Sequence, residues 1–89
     1  MQNYDKENLM ENKQTIFDLK PGDSGRISGF SSEEIPMKFY ELGLIPGSFV
    51  TLKKRLPFGG PVCIQLLDSA NLIALRSTEA RSILIDKFL

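Results

Sequence analysis

Two Pro-Gly pairs, Pro21-Gly22 and Pro46-Gly47, each feed directly into a run suited to a strand. Proline pre-sets φ for a turn and glycine supplies positive φ, so the chain reverses at both places. Their surroundings match as well, LKPGDSGRI at 19–27 and LIPGSFVTL at 44–52. Two similar turns feeding two strands account for that likeness without an internal repeat. Between such breakers the apolar residues recur at every second position. The runs read as strands at 24–30, 48–56, 62–67, 71–76 and 83–85. Val50 and Leu52 share one face while Thr51 and Lys53 take the other, and Val62, Ile64 and Leu66 are in phase. Gly25 and Gly29 predict a bend or bulge in the first run. Five short strands with close-set turns predict a mainly β fold, a small barrel.

One helix interrupts the strands. Ile35, Phe39 and Leu42 lie at i, i+4 and i+7, which makes a single apolar stripe. Pro36 is tolerated in a first turn, so the helix is expected to begin near Ile35, and Gly43 stands where a left-handed cap is wanted. Ser77 or Thr78 followed by Glu79-Ala80-Arg81 predicts one more helical turn before the last strand. The first fourteen residues, MQNYDKENLMENKQ, carry few apolar groups and read as a flexible polar tail (1–14), leaving 15–89 as one domain. At 89 residues there is no room for a second core.

Composition narrows the chemistry. Histidine is absent, which removes the commonest general base and transition-metal ligand, and Cys63 is the lone cysteine. Phosphate-cradling glycine motifs are missing too, so the chain is expected to be no enzyme and to carry no cofactor. Glu33, Glu34, Glu41, Asp68, Glu79 and Asp86 are scattered carboxylates that read as solvated surface. Eleven basic and eleven acidic residues cancel, so no long-range attraction towards nucleic acid is expected. Lys53-Lys54-Arg55, split between two strand faces, reads as a solvated edge. No run is long enough for a membrane span, and the opening residues lack a signal's apolar stretch, so a cytoplasmic location without membrane insertion is expected.

The segment Leu56-Pro57-Phe58-Gly59-Gly60-Pro61 joins the second and third strands. Its prolines and glycines make a compact turn, and Phe58 is the odd member, a large ring in a short loop. That ring either folds back onto the barrel or is presented to a partner.

LKPGDSGRISGF at 19–30, YELGLIPGSFV at 40–50, LPFGGPVCIQL at 56–66 and IALRSTEA at 73–80 together resemble the FeoA family over roughly residues 15–86. The resemblance implies an SH3-like β-barrel with a short inserted helix. It also implies a small, non-enzymatic, cytoplasmic accessory protein of bacterial ferrous iron uptake. Its partner would be the FeoB permease, met on the cytoplasmic side. On this reading Leu56, Pro57, Phe58, Gly59, Gly60 and Pro61 form the partner contact, with Met37, Lys38 and Tyr40 as a second surface. Two other readings stand beside it. One is a weak Fe²⁺ sensor using Glu33, Glu34, Glu41 or Cys63. The other is a small nucleic-acid-binding barrel, which the zero net charge disfavours.

Overall fold

The computed structural model describes residues 14–32 and 34–88. The tail read at 1–14 therefore lies outside the described residues except for Gln14, and Glu33 lies outside them as well.

Six strands form one antiparallel sheet: β1 (Gln14–Thr15), β2 (Ser24–Phe30), β3 (Phe49–Arg55), β4 (Val62–Leu66), β5 (Leu72–Leu75) and β6 (Ile83–Phe88). Their order across the sheet is β1-β6-β2-β3-β4-β5. Two short helices, α1 (Met37–Leu42) and α2 (Ser77–Arg81), and a 3-10 turn at Ile16–Asp18 complete the chain. The alternation read from the sequence is the alternation of burial. Val50 and Leu52 in β3, Val62 and Ile64 in β4, and Ile83 and Ile85 in β6 all point into one core.

The five expected strands are present and β1 is a sixth. Gln14 faces Ile85 and Thr15 faces Leu84. Two residues are too few to show an alternation, which is why β1 left no pattern in the sequence. The last strand also runs past Ile85, because β2 offers partners along its whole length, from Phe30↔Ile83 to Ser24↔Phe88.

Bulges set where side chains point. The β2–β6 ladder shifts register between Ile27 and Gly29, where the glycines predicted a bend. Gly25 is needed for a different reason: a Cβ there would meet the Asp86 carbonyl oxygen at 2.8 Å, so only glycine lets β6 approach. A second bulge was not legible in the sequence. Leu52 faces Ile64 and Lys54 faces Cys63, which leaves Lys53 as the extra residue of β3. Simple alternation predicted that Lys53 and Lys54 take opposite faces, but both are exposed, and Arg55 turns half inward.

The helix departs from the expected stripe. Pro36 keeps an extended conformation (φ −56°, ψ 136°), so α1 begins at Met37 and Ile35 lies before it. Six residues make less than two turns, enough to bury one position, and Phe39 takes it. Its ring stacks on Phe30 with centroids 5.9 Å apart. Leu42, the expected third member, is 38% exposed. Gly43 ends the helix at φ 85°, the left-handed cap expected of it.

Phe39→Ala removes the one deep apolar contact of α1. Loss of a buried ring costs about 3–5 kcal/mol, a large share of the stability of a domain this size. Chemical denaturation should show a midpoint lowered by that amount or an unfolded chain; a small change would mean that α1 is held by other contacts.

Candidate docking surface

The loop between β3 and β4 is a tight, hydrogen-bonded tip. The Leu56 amide donates to the Pro61 carbonyl (3.0 Å), and inside it the Gly60 amide donates to the Pro57 carbonyl (3.2 Å). The two central residues both have positive φ, Phe58 at 62° and Gly59 at 70°. That is the hairpin turn whose twist matches the flanking strands, usually built from asparagine, aspartate or glycine. A left-handed conformation costs a residue with a Cβ about 1–2 kcal/mol. The Phe58 ring gains no packing to offset it, for the residue is 102% exposed. Of the two alternatives left open by the sequence, folding back onto the barrel is therefore wrong. Around it Pro57, Gly59 and Pro61 are exposed, and Leu56 and Gly60 are half-buried.

The basic residues beside the tip divide in role. Lys53 and Lys54 are exposed. Arg55 is committed to the fold: its guanidinium donates to the Phe17 and Leu19 carbonyls, the latter at 2.6 Å. It also lies 4.6 Å from the centre of the Phe17 ring, and Arg81 lies 4.2 Å from the same ring. Phe17 is thus gripped by two cations, which fastens the 3-10 turn to β3 and α2.

On α1, Met37 (69%) and Tyr40 (51%) are exposed. Lys38 is held: its Nζ lies 2.6 Å from Glu79 Oε2, and Glu79 also accepts from the Arg76 amide at 2.9 Å. Burial pushes the Glu79 carboxyl up, but the bonds from Lys38 and Arg76 outweigh it and the net shift is downward from 4.5. Asp23 is likewise lowered, by the Lys20 amide and the Lys87 ammonium.

A feature that sequence reading missed lies at the other end of the β3–β4 hairpin. A cleft of about 500 Å³ is lined by Gly43, Gly47, Ser48, Phe49, Leu66, Leu67 and Asp68. Leu67 is 76% exposed on its rim. Its residues come from two separate segments, and the only hint in the sequence was a pair of apolar residues, Phe49 and Leu67, set against turns. Among the described residues no three His, Cys, Asp or Glu side chains come close enough to hold a metal ion. Glu34 and Glu41 are exposed, and Cys63 is half-buried in β4.

The antiparallel sheet with its short helices defines a small SH3-like β-barrel protein. The FeoA domain model matches residues 15–87, and the chain belongs to the FeoA family, a family of accessory proteins of ferrous iron transport. Solved structures share the fold. An FeoA-like protein from Clostridium acetobutylicum aligns with a TM-score of 0.74 at 20% identity, over 86% of this chain and 88% of its own. The FeoA of Stenotrophomonas maltophilia, solved with zinc and described as a prokaryotic SH3 domain protein, aligns at 0.67 and 23%, over 82% and 89%. A manganese-dependent transcriptional repressor aligns at 0.75 and 20%, over 86% of this chain but 37% of its own. No curated protein matches the chain.

The Lys38–Glu79 pair gives a pH signature. A carboxyl whose value is lowered by folding adds stability that is fully present above 4.5 and is lost as pH falls through the lower folded value. Glu79→Gln should therefore lower Tm at pH 7, modestly because Lys38 is half exposed. The gap to the parent should close as pH drops below 4.5. A gap constant with pH would mean that Glu79 acts by packing alone.

Proposed function

We propose that this protein is a non-enzymatic accessory protein that binds a FeoB-type ferrous iron permease from its cytoplasmic side and modulates transport. The Leu56–Pro61 loop is the contact and Phe58 is its anchor. One observation carries the reading: a phenylalanine occupies a strained left-handed position at a hairpin tip while its ring touches no core residue. A feature that costs stability and adds none to the fold points to work outside it. The two prolines and the two closing hydrogen bonds hold the tip in one shape, so docking orders little further chain. A large ring on such a support suits the centre of an interface, where a few anchors carry most of the energy. Lys53 and Lys54 stand back from the tip and would steer it towards an acidic rim. The exposed Met37 and Tyr40 of α1 form the second surface; Lys38, paired with Glu79, contributes to it by holding α1 in place.

Two substitutions separate docking from folding. Phe58→Ser should leave the domain folded but reduce recovery of the permease from native membranes and reduce ferrous iron uptake. Phe58→Asn should do the same and raise stability by up to about 1 kcal/mol, since asparagine tolerates positive φ. A Phe58→Ser protein that stays stable and supports full uptake would remove the loop from the interface.

A further inference from the structure

We infer that the cleft at the far end of the β3–β4 hairpin is a receptor for the Phe58 tip of a second copy of this chain, so that the protein associates with itself head to tail. The inference rests on the reading of Phe58 as a docking anchor and gives that anchor a second receptor. Knob and cleft are built on the same two strands. Val50↔Leu66 closes the ladder at the cleft end and Arg55↔Val62 at the tip end. The seven residues of β3 span about 20 Å at the usual strand rise, and the ladder between them is rigid. A ring at one end cannot reach a cleft at the other end of its own hairpin, so it can only enter a neighbour's.

The two surfaces are complementary in kind. The tip offers a fully exposed aromatic ring with Lys53 and Lys54 exposed behind it. The cleft offers apolar walls from Phe49, Leu66 and Leu67, and the exposed carboxylate of Asp68. None of Lys53, Lys54 and Asp68 takes part in the ion pairs formed among the described residues. A space of about 500 Å³ has ample room for one phenyl ring. Burying a single ring and its rim covers far less than the roughly 1,000 Å² that a stable interface needs. The association is therefore weak and concentration-dependent, and a copy whose tip is seated in a neighbour cannot present that tip to the permease. Because the joined surfaces differ, the contact is heterologous: the pair keeps one free tip on one copy and one free cleft on the other, so growth continues past the dimer unless a ring closes.

Complementary variants of the full chain test this. In sedimentation velocity, the parent's weight-average sedimentation coefficient should rise with concentration beyond that of a dimer. Phe58→Ser, which has a dead tip and an intact cleft, should stay monomeric over the same range. So should Leu67→Asp, which has an intact tip and a cleft whose apolar rim is replaced by a hydrated carboxylate that a phenyl ring cannot cover without cost. At 76% exposure Leu67 is replaceable without loss of folding, which an unchanged Tm checks. Mixed one to one, the two variants should form a dimer and nothing larger, since one productive tip and one productive cleft remain per pair. A parent that is monomeric up to millimolar concentration, a Phe58→Ser protein that still self-associates, or a mixture that fails to pair would each overturn the inference. Permease recovery with Leu67→Asp is read separately. It should equal or exceed that of the parent, whereas loss there would assign the cleft to the permease instead of a second copy. Failure of self-association with Phe58→Ser still losing the permease would leave the proposed function standing.

Discussion

The β3–β4 ladder is the constraint on which the rest of the structure depends. Val50, Leu52, Val62 and Ile64 turn inward from these two strands and form the middle of the core. Their register, fixed by five cross-strand pairs and one bulge, determines what is left to point outward. A shift of one residue would bury Lys53 and expose Leu52, so the hydrophobic pattern holds the register firmly. With it the tip and the cleft are held a fixed distance apart at opposite ends of one stiff element.

Small domains bury too little apolar surface to hold every short element by packing alone. Here polar and aromatic fasteners supplement the core. Arg55 and Arg81 grip Phe17, and Arg55 also satisfies two carbonyls of the segment leading into β2. Glu79 ties the start of α2 to Lys38 of α1. Helices of five and six residues are too short to stand by propensity, and these ties together with Phe39 and Ala80 explain their fixed places. An arginine that looked free in a basic run is thereby removed from the surface chemistry, and two lysines are left to it.

A barrel of this kind does not by itself specify a role. The features that bear on a role are local: an aromatic residue where the turn asks for asparagine or glycine, and a cleft lined by strand ends. The same scaffold aligns with FeoA proteins and with part of a manganese-dependent repressor, so its surfaces rather than its core must separate the uses to which it is put.

Much of the fold was legible in the sequence because the signals were local. Alternation over four to seven residues marked the strands, Pro-Gly pairs marked turns, and Gly43 marked the end of α1; each depends on residues adjacent in the chain. The resemblance to the FeoA family was carried by contiguous motifs for the same reason, and the matching domain spans residues 15–87. Tertiary structure alone decided the rest. β1 exists because β6 offers an edge, the bulge at Lys53 because two strands must keep pace around a curved core, and the commitment of Arg55 because Phe17 lies beside it in space. Phe58 could be placed in a turn from sequence, but whether its ring met the barrel or the solvent depended on the backbone angles of that turn. Those angles are set by the twist of the two strands that the turn joins, a property of the folded sheet and not of the six residues in the loop.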